Sequence, residues 1–407
     1  MLYCESFSIN LNDFMRKIVL FFVFILSVSC SKNNDPEYEN LPNYLAIKET
    51  FGNNIDLNNL YNYANQSVPT YITKDNGTTN PINDKIATLG RVLFYDKKLS
   101  SNNTISCSSC HKQEHAFSDT ETVSSGVNGT TLRHSMRLIN TRFANEVKFF
   151  WDERAASLEQ QTTMPIKDHG EMGFSGENGE LNFDDLITKL SEIEYYQELF
   201  SFAFGSSEIT ETKIQISLAQ FIRSIQSFDS KYDIGRALAP NDAAPFSNFT
   251  IQENQGKQLF LTPAQFSPSG IRIGGGLGCN GCHNAPEFDI DPNSLNNGIV
   301  GSVNGIADYS NTRAPSLRDL LNFDGDLNSP LMHNGVIITL QNLLTHYNNL
   351  TSAAQFSSNL DPRFIINGNG QVLNITTQER ENMIAFLKTL SGNDVYTNIK
   401  WSNPFPN

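Results

Sequence analysis

Spare cysteine is what this 407-residue chain lacks: of its six cysteines, four fall in two C-x-x-C pairs, Cys4 lies in a leader segment and Cys30 stands at that leader's end. Nothing is left over for disulfides. Basic charge is scarce too. Against 43 Asp and Glu there are 29 Lys and Arg, a formal net charge of −14, which argues against nucleic acid or an anionic membrane surface as a partner and favours a donor protein with a basic face. Apolar runs are short: residues 18–28 form an apolar-rich stretch of eleven, where a bilayer span needs about 20. Strict apolar–polar alternation is rare, which speaks against an extended sheet.

What is present is ordinary globular composition, 39% hydrophobic and 18% charged, in a chain long enough for two domains. Arg16 and Lys17 precede the apolar stretch, and Ser29 and Cys30 follow it. A basic segment, a short apolar segment and a small residue at the junction have the layout of a secretory signal over residues 1–29. Cys30, followed by a polar tail, resembles the lipidated cysteine of a bacterial lipoprotein, although Ser27 stands where the usual motif has Leu. Plain signal cleavage and an uncleaved anchor are the alternatives. Each of these readings exports the protein, and the first makes it a periplasmic or outer-membrane-anchored lipoprotein of a Gram-negative bacterium.

The cysteine pairs carry the chemistry. Cys107-Ser-Ser-Cys110-His111 and Cys279-Asn-Gly-Cys282-His283 are both C-x-x-C-H pentads. In this attachment signature two thiols add across the vinyl groups of a haem and the adjacent imidazole faces the iron. Two C-x-x-C pairs can also make one four-thiolate zinc site. Here each pair has its own His and about 170 residues separate the pairs, far beyond a compact zinc ribbon. Two covalent haems c are therefore expected.

Periodicity organises the rest. Residues 30–58 are polar and Asn-rich and read as a tether. Residues 84–94 have helical apolar spacing through Ile86, Leu89, Leu93 and Phe94 and run into the first pentad. Helices are predicted over 184–202 and 210–228, the second with a core stripe of Ile214, Leu218, Phe221, Ile222 and Ile225. Residues 240–252 form the best linker candidate. Helices over 253–260, 340–347 and 376–390 then repeat the plan of the first block in reduced form. The expected fold is mainly α, with few or no strands and two small haem domains, 59–239 and 253–407, packed around a shared interface.

A specific resemblance now emerges. Leu89-Gly-Arg-Val-Leu-Phe-Tyr-Asp-Lys-Lys-Leu-Ser100, the first pentad, Phe117-Ser-Asp119, Phe150-Trp-Asp-Glu-Arg-Ala-Ala156, Glu171-Met-Gly173, the second pentad, Ala314-Pro-Ser-Leu-Arg318 and Met332-His-Asn-Gly335 occur in that order. From about residue 60 onward the chain resembles the bacterial di-haem cytochrome c peroxidases and the related MauG-type enzymes. The resemblance implies cytochrome c-like haem domains, with a peroxide site at the first haem and electron entry at the second. It implies His111 and His283 as proximal iron ligands, and Trp151 as the residue coupling the two haems. Gln161 and Glu171, ten and twenty residues after Trp151, take the place of the distal pair. There a carboxylate in a dry pocket can shuttle the proton that peroxide cleavage needs, and the amide can position the peroxide.

Two departures from the family pattern matter. No distal His follows the first pentad except His115, four residues after His111, so an open or water-bound first haem is expected. At the second haem, the position fourteen residues after His333 is Tyr347, as in MauG-type members, where the classical peroxidases have Met. Met332 is the rival ligand. The family's interdomain Ca²⁺ would draw on the carbonyls of Asn328 and Pro330, but His134 occupies the Asn position and is a poor ligand for a hard cation.

The expected activity is reduction of hydrogen peroxide to water with electrons from a reduced c-type cytochrome or similar donor. MauG-like oxidation of a protein side chain and a non-enzymatic di-haem electron carrier are the rivals, and a homodimer is left open. A Tyr347→Phe variant is expected to lose the native absorbance and paramagnetic-resonance signature of the second haem; an unchanged spectrum would remove Tyr347 as a ligand.

Overall fold

The computed structural model describes residues 44–322 and 324–406. Residues 1–29, where a signal is expected, together with Cys30 and the start of the expected tether, lie outside the described residues. Thirteen α-helices and four two-stranded ribbons are described, so the fold is largely helical.

Helix α1 spans Leu45–Phe51, α2 Asp84–Tyr95, α3 Cys107–Cys110, α4 Leu158–Thr163, α5 Phe183–Ser191, α6 Glu194–Phe204 and α7 Glu211–Ser224. Then come α8 Lys231–Leu238, α9 Ile251–Leu261, α10 Leu340–Asn348, α11 Thr351–Phe356, α12 Thr377–Lys388 and α13 Asp394–Thr397. Side-chain caps start the long ones: Asn83 for α2, Thr210 for α7, and Thr250 and Thr376, each reciprocated by a Glu three residues on, for α9 and α12. Such caps satisfy the otherwise orphaned first N–H groups.

Two helix crossings set the architecture, and they match. Helix α2 packs on α7 with Gly90 at the contact, where a Cβ would lie 2.0 Å from the carbonyl oxygen of Ser217. Helix α9 packs on α12 with Gly256 at the contact, where a Cβ would lie 1.9 Å from the carbonyl oxygen of Asn382. Four residues after each glycine comes a phenylalanine on the partner helix's phenylalanine: Phe94 on Phe221 at 5.2 Å and 56°, Phe260 on Phe386 at 5.3 Å and 57°. The sequences agree locally, Gly90-Arg-Val-Leu-Phe94 and Gly256-Lys-Gln-Leu-Phe260, so the two blocks share one supersecondary plan.

Several expectations shift at the edges. The predicted helix 184–202 is two helices, because Ile193 is extended (φ −99°, ψ 116°). That break lets Leu186 and Leu190 before it and Tyr196, Leu199 and Phe200 after it all be buried. Part of the tether is docked: Ile47 and Phe51 are buried, and Glu198 accepts from the N–H groups of Ala46 and Ile47 at 3.2 and 2.9 Å. The segment 240–252 is no free linker, since Phe246 and Phe249 are buried and Phe246 packs on Tyr232 at 5.4 Å.

The chain end crosses back to the first block. Trp401 is buried with its Nε1 donating to Ser224 Oγ at 3.3 Å, and Tyr63, Arg91 and Tyr95 donate to the carbonyls of Lys400, Ser402 and Trp401. The boundary 253–407 therefore includes a tail that belongs to the other block's packing. Arg318, fully buried, ties the blocks further by donating to Asp233 at 2.9 Å and to the Pro286 carbonyl at 2.9 Å.

The ribbons all lie in the second block: β1 Ala264–Phe266 with β2 Arg272–Gly275, β3 His283–Asn284 with β4 Asp289–Ile290, β5 Gly301–Val303 with β6 Ile306–Asp308, and β7 Ile365–Ile366 with β8 Asn369–Gly370. Two of them close through Asn304-Gly305 and Asn367-Gly368, every one of these residues at positive φ. Asn-Gly in that conformation is the tight hairpin turn whose twist suits antiparallel strands.

The substitution Gly256→Ala should cost about 1–3 kcal/mol by overpacking the α9–α12 crossing. The check is the urea midpoint of the variant, and an unchanged midpoint would show that the helices separate freely.

Candidate haem centres

Each pentad opens onto its own cavity. The cavity at the second pentad, about 450 Å³, is lined by Cys279, Cys282 and His283 together with Met332, His333, Leu344 and Tyr347, and by Trp151 and His134. The cavity at the first pentad, about 80 Å³, brings together Cys107, Cys110, His111, Gln161, Glu171, Met172, Leu218 and Ile222. The two cysteine pairs thus stand apart and form no common four-thiolate set, and no group of three or more metal-ligating His, Cys, Asp or Glu exists among the described residues.

The donor chemistry fits covalent haem. All four thiols are free, and burial pushes Cys107 and Cys279 up to about 12 and Cys110 and Cys282 up to about 11. They are neutral thiols at pH 7, unlike the low-pKa cysteines of dithiol redox sites. Burial lowers both imidazoles, His283 to about 4, so each is neutral and has a lone pair to offer iron.

His111 Nδ1–H donates to the carbonyl of Phe117 at 3.1 Å, which leaves Nε2 as the bare nitrogen, the arrangement that orients ligating imidazoles. The turn delivering that carbonyl is strained: Ala116 and Phe117 both have left-handed backbones, φ 55° and 59°. His283 Nδ1 is buried without a hydrogen-bond partner. Helix α3 is capped by Ser106, whose side chain and that of Ser109 bond reciprocally to the backbone.

Also lining the first cavity, Gln161 projects from α4, which Ser157 caps, and Glu171 sits in the turn after Ile166. Burial, with the nearby Asp168 charge, raises the Glu171 carboxyl to about 7. The backbone there is pinned, Glu171 N–H donating to Asp168 Oδ1 at 3.0 Å and its carbonyl accepting from Val127 at 3.0 Å. His111 is the only histidine lining this cavity; His115, in the turn Gln113–His115, does not reach it.

The wall between the cavities is the segment 134–138, which is neither helix nor strand. Ser135 lines both spaces. Trp151 leans on this wall, its Nε1–H donating to the His134 carbonyl at 2.7 Å and its ring 6.3 Å from that of His333. Trp151 thus borders the second cavity and touches the partition leading to the first.

Tyr347 lies on α10 and lines the second cavity, as does Met332. Sequence reasoning missed the side chain between them, Asn297, which donates to both. No motif marks it; only the loop fold brings it there. At the calcium positions, Asn328 is buried and its side chain donates to the Asp319 carbonyl and to Tyr396 Oη, both at 2.8 Å. Pro330 and His134 line the second cavity. His134 Nδ1–H donates to the Glu121 carbonyl at 2.9 Å, so His134 is committed to the wall.

Residues 84–238 match the family described as di-haem cytochrome c peroxidase. Among relatives, the chain is 26% identical to the methylamine utilization protein MauG of Methylophilus methylotrophus, over 77% of this chain and 84% of that protein. It is 27% identical to the cytochrome c551 peroxidase of Nitrosomonas europaea, over 77% and 81% respectively. A crystal structure of a MauG-like protein associated with microbial copper homeostasis superimposes with a TM-score of 0.64 at 26% identity, covering 84% of this chain and 99% of that one. Motif order, family match and relatives agree: residues 84–238 match the di-haem cytochrome c peroxidase family, and over 77% of its length the chain is similar to MauG and cytochrome c peroxidases.

Proposed function

We propose that the chain reduces hydrogen peroxide to water, two electrons and two protons per peroxide, at the first pentad, with electrons entering at the second from a small reduced donor such as a c-type cytochrome. One observation carries the reading: the half-buried Glu171 carboxyl, raised to about 7, shares a small cavity with Cys107, Cys110 and His111, with the Gln161 amide lining it and no second histidine among the described residues that line it. The haem bound there supplies the iron and the electrons for cleaving the O–O bond.

The protein's side chains do the rest. Glu171 as carboxylate takes the proton from one peroxide oxygen and delivers it to the other, which departs as water. Gln161 holds the peroxide by hydrogen bonding. Trp151, against the partition between the cavities, carries electrons from the second centre to the first. A carrier with no turnover of its own has no use for an acid–base pair at a cavity of this kind, which disfavours that rival. Tyr347 in the second cavity favours MauG-like oxidation of a protein side chain as the second reading, because an anionic oxygen ligand stabilises ferric and higher states.

The net charge of −14 suits a donor with a basic face, attracted over a distance that salt shortens. Export with lipidation at Cys30 completes the reading. Calcium at the Asn328 and Pro330 carbonyls has no step in it.

Steady-state consumption of peroxide with a reduced c-type cytochrome tests the activity directly. Because the carboxylate is the working form, kcat/KM for peroxide should fall as pH drops through about 7. The Glu171→Gln variant should lose about 10²–10⁴-fold along with that limb, and a variant of undiminished rate would dismiss the proton shuttle.

A further inference from the structure

Met332 and Tyr347, the two candidate iron ligands, both line the second cavity, and a single amide touches both. Asn297 Nδ2 donates to Met332 Sδ at 3.1 Å and to Tyr347 Oη at 3.3 Å. The amide has no freedom to turn over. Its Oδ1 accepts from the Ile299 N–H at 3.0 Å, and a backbone N–H can meet only the oxygen edge, so the two N–H bonds must point at sulfur and phenol. The Asn297 carbonyl accepts from His346 Nε2 at 2.9 Å, tying the loop to the residue before Tyr347. Next to it, fully buried Asn296 donates its N–H to the Asn359 carbonyl at 3.0 Å and accepts from Asp361 at 2.8 Å.

Met332 is itself held under strain. Its φ is +72°, in the left-handed region that residues other than glycine seldom occupy and that clusters at functional sites. The Gly335 N–H closes the turn onto the Met332 carbonyl at 3.1 Å. A strained backbone and a fixed amide together define where the sulfur sits.

We propose that Asn297 is a positioning residue that selects the sixth ligand of the second haem, holding the Met332 thioether in reserve and supporting the Tyr347 oxygen on the iron. The proposal rests on the reading of Tyr347 as that ligand. The selection follows from acceptor strength. An oxygen carrying charge accepts an N–H bond about twice as strongly as a neutral one, whereas a thioether sulfur is a weak acceptor. The same donor therefore stabilises the oxygen-ligated arrangement more than the sulfur-ligated one. Withdrawing it weakens Tyr347 and frees Met332.

The test is the absorbance and paramagnetic-resonance spectrum of the resting di-haem protein and the reduction potential of its second haem. Asn297→Asp retains an acceptor for the Ile299 N–H and replaces the donor with an anionic oxygen facing the tyrosyl oxygen. It should lose the oxygen-ligated signature, gain the far-red sulfur-to-iron band and shift the potential upward. Adding Met332→Leu to Asn297→Asp should abolish that new band. Should Asn297→Asp fail to acquire haem, Asn297→Ser, whose hydroxyl still serves the Ile299 N–H but reaches neither ligand, is read in the same way. A native spectrum in these variants, beside a Tyr347→Phe protein that has lost it, overturns the selector role and leaves the tyrosine assignment standing. A native spectrum in Tyr347→Phe overturns both.

Discussion

At two places in this protein a helix backbone lies against another helix with only a hydrogen atom to spare, at Gly90 on Ser217 and at Gly256 on Asn382. Everything that handles chemistry is hung from those contacts. Close approach brings Phe94 onto Phe221 and Phe260 onto Phe386 in nearly equal geometry, and aromatic pairs of this kind add about 0.5–1.5 kcal/mol beyond their burial. The first helix of each pair leads towards its pentad. The second provides cavity wall, Leu218 and Ile222 in one block and Met383 and Leu387 in the other. A repeated crossing thus sets each of the two C-x-x-C-H pentads against a like pair of helices, although so much chain separates them.

Similarity ends in the rest of each cavity's lining. The first cavity is small and contains an amide and a carboxyl raised to about 7, a pair suited to moving a proton. The second is larger, mostly apolar, and brings a phenol and a thioether around one asparagine. Segment 134–138 stands between them, and Trp151 braces it from the second side. The difference between the cavities follows from which loops cross each one, since the helices that frame them are alike.

The blocks are not independent bodies joined by a string. Arg318 buried against Asp233, the aromatic residues Phe246 and Phe249, and the returning tail through Trp401 bind them over long sequence separations. Removing one member of a buried charge pair such as Arg318–Asp233 costs about 3–5 kcal/mol, so the relative placement of Trp151 and the second cavity is part of the folded core.

Read alone, the sequence determined the elements whose information is local. Pentads, helix stripes and caps depend on residues within a turn or two, so the helices near 84–95, 211–224, 251–261, 340–348 and 377–388 were legible to within a few positions. Asn304-Gly305 and Asn367-Gly368 were legible as hairpin turns in principle, but the short strands beside them have too few residues for alternation to show. Motif order pointed to Gln161, Glu171, Trp151 and Tyr347. Only the tertiary structure decided that a polar tether docks through Ile47 and Phe51, that the tail returns to the first block, and that Asn297 stands between Met332 and Tyr347. Each of these depends on contacts between residues 35 to 337 positions apart, and no local pattern of charge or hydrophobicity encodes a contact over such a distance.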